Sequence, residues 1–98
     1  MGVVFMRYVI VLHKDVGSDF GVTVPDLQGC FSAGETIEAA IENATEAIEC
    51  YLEAMAHDGE QIPAAKPIEF HRKNPDYFDG IWAITQVNVD TSMSKIAA

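Results

Sequence analysis

Between Asp15 and Ala65 the chain carries eleven Asp and Glu residues and not one Lys or Arg. Carboxylates at such density can hold catalytic metals, move protons, or recognise positive charge. Metal-dependent hydrolysis needs carboxylates converging on one point. Asp26 with Glu35 or Glu38 would have to supply it, and the first apolar stretch, Arg7 to His13, offers no acid to join them. Two-metal catalysis is therefore not expected. Five of the acids fall in a pattern: Glu38, Glu42, Glu46, Glu49 and Glu53, in steps of four, four, three and four. On a helix those steps share one broad face, where like charges cost a few tenths of a kcal/mol per pair. Two readings remain open. The face is a solvated one, built from Glu for its helix propensity, or it steers a basic partner.

The other reactive residue types give weaker signals. His13, His57 and His71 are scattered and lack the i, i+4 spacing of a helical metal site. Cys30 and Cys50 form no CxxC pair and no disulfide framework. Cys30 reads as a small buried hydrophobe, and Cys50 falls off the apolar stripe of its helix. Neither has a paired base to make it a nucleophile. The run Pro25-Asp26-Leu27-Gln28-Gly29-Cys30 reads either as a rigid edge contacting a partner or as a turn set by Pro, Asp and Gly. Tyr77, Phe78 and Trp82 cluster near the last strand, as interface aromatics or as core. His71-Arg72-Lys73 is the one local basic cluster, too small to bind nucleic acid.

Composition narrows the classes. At 98 residues the chain fits a single domain, residues 1–98, with a modest core that association would help. Hydrophobic residues make up 49%, twelve of them Ala, which argues against disorder. A net charge of −9 opposes a nucleic-acid footprint and favours a basic protein partner. Val3 to Leu12 is interrupted by Arg7 and lacks signal-peptide flanks. No stretch reaches the roughly 18 apolar residues of a membrane span. These features predict a soluble cytoplasmic protein with reduced thiols and no cofactor.

The elements that must position these residues are read from periodicity. Arg7–His13 alternates with both faces largely apolar, the mark of a central strand. Met1–Phe5 reads as a flexible extension ahead of it. Lys14–Asp19 is a hairpin turn, Phe20–Val24 the return strand, and Cys30–Ala33 a short third strand, with Gly34 breaking the chain. Thr36 caps a helix with Glu38 in its first turn, and Ile37, Ile41, Ala44, Ile48, Leu52 and Met55 as its apolar stripe. His57 lies in its last turn and Gly59 stops it. Pro63, Pro67 and Pro75 break up the stretch after the helix, with an extended piece at Ile68–Phe70. Ile81–Val89 is the last strand, and residues 91–98 form a fraying tail. The expectation is an α+β fold: an antiparallel sheet of three to four strands, order β-β-β-α-β, with one main helix on one face. The other face would be incompletely covered, which favours dimerisation.

The segment Phe20 to Pro63, FGVTVPDLQGCFSAGETIEAAIENATEAIECYLEAMAHDGEQIP, resembles the HicB-like antitoxin family. Its most specific pieces are Gly21-Val22-Thr23-Val24-Pro25-Asp26-Leu27 and Gly29-Cys30-Phe31-Ser32-Ala33-Gly34, extended by Gly59-Glu60 and Ile62-Pro63. The resemblance covers about half the chain. It implies a partial ribonuclease H-like fold without that enzyme's activity. It also implies the antitoxin half of a two-component module, which binds and masks a small basic HicA-type ribonuclease toxin. Dimers or tetramers are implied as well. Many members continue into a ribbon-helix-helix or helix-turn-helix module. Here the chain ends at Ala98, so operator binding is not expected, whether the chain is naturally short or stops ahead of such a module. The residues expected to meet the partner are Asp26, Leu27, Glu38, Glu42, Glu46, Glu49 and Trp82. Two other readings stay open: a ligand-binding or enzymatic domain using a pocket on the bare sheet face, and an oligomerisation module detached from its DNA-binding half.

Overall fold

The computed structural model of the chain describes residues 2–90. Strand β1 (Val3–Lys14) turns through residues 15–19 into β2 (Phe20–Thr23), and β3 (Phe31–Gly34) comes next. Helix α1 (Ile37–His57) leads through an irregular arm, a four-residue helix α2 (Ile68–His71) and a 3₁₀ turn (Pro75–Tyr77) to strand β4 (Ile81–Asp90). The four strands form one antiparallel sheet in the order β3-β2-β1-β4, with α1 on one face. This is the expected α+β architecture, with β1 central.

Three local expectations are corrected. Strand β1 begins at Val3 rather than Arg7, so most of the supposed extension is strand. The reason is β4, which runs on to Asp90 and pairs Val4 with Val89 and Met6 with Val87. Residues 68–71 are helical, not extended. Pro67 sits ahead of the turn with φ −72° and ψ 162°, and its carbonyl accepts from the Phe70 and His71 amides. Gly34 does not break the chain but belongs to β3, and its lack of a side chain is what counts. A Cβ there would collide with the Ala40 amide, so Gly34 lets α1 lie directly against β3. The tail, residues 91–98, lies outside the described residues.

Helix α1 starts as its sequence requires: Thr36 Oγ1 accepts from the Ala39 amide at 3.0 Å. It ends in a Schellman turn, with the Gly59 amide on Ala56 O and the Glu60 amide on Met55 O, and Gly59 at φ 80°. The buried positions are Ala40, Ala44, Ile48, Leu52 and Ala56. Each step of four residues turns the buried face about 40° around a helix of 3.6 residues per turn. The helix therefore crosses the sheet obliquely, close to β3 at its start and beside β4 at its end. That drift leaves Ile37, expected in the stripe, exposed. The core partners of α1 are Tyr8, Ile10 and Leu12 of β1, Val22 of β2 and Val87 and Val89 of β4, all essentially inaccessible. Each large apolar side chain so buried contributes about 1.5–3 kcal/mol.

The arm after α1 wraps the sheet. It first passes Tyr8, whose hydroxyl donates to Pro63 O at 2.6 Å. It then reaches the other face, where Gly80 abuts Val11 so closely that a Cβ would strike that side chain. Val9 and Val11 are buried on this second face. Burial, and then the Asp26 charge, push the Tyr8 hydroxyl up to about 12.

Two measurements check this packing. Gly34→Ala must push α1 off β3, and the expected loss is about 1–3 kcal/mol in urea unfolding, as for other overpacked sites. Tyr8 is held protonated in the fold and released near pH 10 when unfolded. Its contribution is therefore complete below pH 10 and lost as pH rises towards 12. The stability of the parent chain should fall across that window more steeply than that of Tyr8→Phe; equal slopes would remove the role given to Tyr8.

Candidate partner-binding surfaces

The loop after β2 is built from short backbone bonds. The Leu27 amide donates to Val24 O and the Cys30 amide to Leu27 O, and Gly29 takes φ 80°. The Tyr51 hydroxyl donates to Gln28 O at 2.8 Å, holding the loop against α1. This geometry turns Leu27 into the core at 1% exposure. Asp26 also turns inward, with its side chain 5% exposed. Its Oδ2 accepts from the Lys66 amide at 3.0 Å and lies 3.1 Å from His71 Nε2. The His71 contact is one of proximity alone, since Nε2 makes no aligned hydrogen bond. Asp26 and Leu27, expected to face a partner, thus serve the interior. The carboxylate ties the arm to the loop, and the leucine closes the core beneath it. A buried carboxylate stripped of these partners would be costly, about 1–3 kcal/mol for each group left unsatisfied. Cys30 is buried beside them, and burial raises its thiol pKa; Cys50 is exposed.

The acidic face of α1 divides in two. Glu38, Glu42 and Glu46 are exposed. Glu49 and Glu53 are half-buried and reach down to β4, where Glu49 Oε2 accepts from the Asn88 amide at 2.8 Å and Glu53 Oε2 from the Asp90 amide at 3.2 Å. Those amides point away from β1, because residues alternate in an antiparallel ladder. Glu49 and Glu53 therefore cap an open sheet edge, and only the first three acids are free for another molecule. At the opposite edge, Asn43 Nδ2 donates to Ala33 O at 2.9 Å. Between them, Thr45 and Thr85 share a hydroxyl hydrogen bond of 2.6 Å.

Trp82 lies on the second face, half-buried, with Tyr77 edge-on at 5.9 Å between ring centroids. Tyr77 also lines two cavities that the sequence did not foretell. One, of about 390 Å³, is lined by Thr23, Pro25, Leu27, Phe31 and Tyr77. The other, of about 320 Å³, is lined by Val11, His13, Asp15, Asp76, Tyr77 and Asp79. The signal available was the alternation of β3, which puts Phe31 on the face opposite α1. What was missing is the arm that brings Tyr77 beside it. Among the described residues no group of three or more His, Cys, Asp or Glu is arranged to hold a metal ion.

Comparison with known proteins fits this architecture. Residues 8–97 match the family described as the HicB-like antitoxin of bacterial toxin-antitoxin systems. An uncharacterised 14.9 kDa protein from the rep-hol intergenic region of Haemophilus phage HP1 is 41% identical over 90 residues, 92% of this chain and 67% of the phage protein. The crystal structure of the Burkholderia pseudomallei antitoxin HicB is similar with a TM-score of 0.77 at 39% identity, over 95% of this chain and 70% of that one. A chain of the HicA3 and HicB3 toxin-antitoxin complex is similar with a TM-score of 0.66 at 30% identity, over 87% of this chain and 99% of that one. With residues 8–97 matched by the family and relatives up to 41% identical over most of its length, the chain belongs to the HicB-like antitoxin family of bacterial toxin-antitoxin systems.

Proposed function

We propose that this antitoxin acts by binding a small basic HicA-type ribonuclease and covering its catalytic surface, without catalysis of its own. The observation that carries the reading is the family match joined to the charge of the surface. Glu38, Glu42 and Glu46 stand free on α1 in a chain of net charge −9. A field of one sign speeds encounter with a partner of the other sign and disfavours nucleic acid. The Asp26 carboxylate is turned inward, and its Oδ2 serves the fold by accepting from the Lys66 amide.

Self-association as a dimer or tetramer belongs to the same proposal. Val3, Phe5 and Ile84 are exposed at 60%, 66% and 57% on the sheet face away from α1, an apolar patch that a second copy would cover. Operator binding is not assigned to residues 2–90, whose long helix is packed on the sheet and whose α2 has four residues. The proposed location is the cytoplasm, where an RNA-cleaving partner would act. No helix among the described residues is long and apolar enough to cross a membrane.

Co-expression tests the reading. HicA-type ribonucleases are induced in a bacterial host with and without this chain. At least one should arrest growth alone, and should be neutralised and co-purified when the chain is present. Growth arrest that persists for all of them beside abundant soluble chain would contradict it.

A further inference from the structure

The two cavities on the second sheet face share Thr23 and Tyr77, so they form one continuous surface with an apolar half and an acidic half. The apolar half is a groove between the Pro25–Gly29 loop and Tyr77, with Phe31 standing 66% exposed at its side. The acidic half carries Asp15, Asp76 and Asp79. No Lys or Arg lines either half. The nearest base in sequence, Lys14, is turned away, with its Nζ 5.7 Å from the centroid of the Phe20 ring. Asp15, Asp76 and Asp79 make no salt bridge with a Lys, Arg or His among the described residues. The surface is built rather than incidental, because the arm that supplies Tyr77, Asp76 and Asp79 is fixed at both ends. Asp26 holds it at Lys66 and His71, and Gly80 locks it against Val11.

We propose that this groove is the docking site for the basic partner, which places one large apolar side chain against Phe31 and Tyr77 and a neighbouring Lys or Arg among Asp15, Asp76 and Asp79. The charge pattern selects this occupant. A second copy of the chain, with no Lys or Arg between Asp15 and Ala65, has little positive charge to set against the acidic half, and the self-association patch at Val3, Phe5 and Ile84 lines neither cavity. A basic protein gains both halves: apolar burial in the groove and a charge-assisted contact beside it. The inference rests on the antitoxin reading and refines it. The exposed acids of α1 then act at a distance, on the rate of encounter, while the groove supplies the contacts that hold the complex. Mutations of each kind separate in kinetics, since steering charges act on association and buried contacts on dissociation.

The test uses the full chain and the HicA-type ribonuclease whose growth arrest it relieves. Phe31→Ser and the pair Asp76→Lys with Asp79→Lys change exposed side chains and should leave the melting temperature near that of the parent. Each should weaken binding at least tenfold, mainly through faster dissociation. Glu42→Lys with Glu46→Lys should slow association severalfold at low salt and leave dissociation unchanged. As a second readout on the unsubstituted chain, amide shifts on binding should centre on Thr23, Phe31, Tyr77 and Gly80. Parent-like affinity in both groove variants, or shifts centred on α1, would overturn the inference and leave the antitoxin reading intact. If the parent chain itself binds no HicA-type ribonuclease, the antitoxin reading fails and the inference fails with it.

Discussion

A single helix holding both edges of the sheet is the constraint on which the rest of the molecule depends. Helix α1 crosses from β3 to β4, and it does so because Gly34, Ala40 and Ala44 are small enough to let its first turns touch the sheet. Once there, Asn43 reaches the outer carbonyl of β3, and Glu49 and Glu53 reach the outer amides of β4. A small sheet with two bare edges would otherwise invite pairing with other chains. Carboxylates suit the task twice over. They accept from the edge amides, and they bring charge to a place where another strand would have to approach.

The second consequence is the arm. With α1 occupying one face, residues 60–80 run past Tyr8 and the Pro25–Gly29 loop before arriving on the other face. Asp26 sets that route by holding Lys66 and His71 from the interior. The motif loop thus has a structural task of its own. It is the post to which the arm is tied, and the arm brings Tyr77 beside Phe31. Removing water from the Asp26 carboxylate is costly, and the hydrogen bond from the Lys66 amide offsets part of that cost.

Much of this was legible from residue order, and the rest was not for a common reason. The start and approximate end of helix α1 could be read because its signals are local: the Thr36 cap, the 3.6-residue period and Gly59. The central place of β1 was evident from apolar residues on both of its faces. The inward turn of Asp26 could not be seen, because its partner amide lies 40 residues away. Nor could the Tyr8 bond to Pro63, which spans 55. The same holds for the acid stripe. Its spacing described one face correctly, but which acids were free depended on where β4 passes beneath the helix. Pro67 misled in the other direction, since a proline that interrupts a strand pattern also begins a helix well.

The central claim is that part of the acidic complement is consumed in holding the fold, and the remainder left for recognition. Amide hydrogen exchange on the free chain reads this directly. The amides of Lys66, Asn88 and Asp90, bonded to Asp26, Glu49 and Glu53, should be protected, although they lie in the arm or at an outer sheet edge. The outward amides of Ile84 and Gln86 on the same edge should exchange freely. Equal, rapid exchange at all five positions would contradict the account, because the carboxylates would then be free acids on a surface and not the ties that shape it.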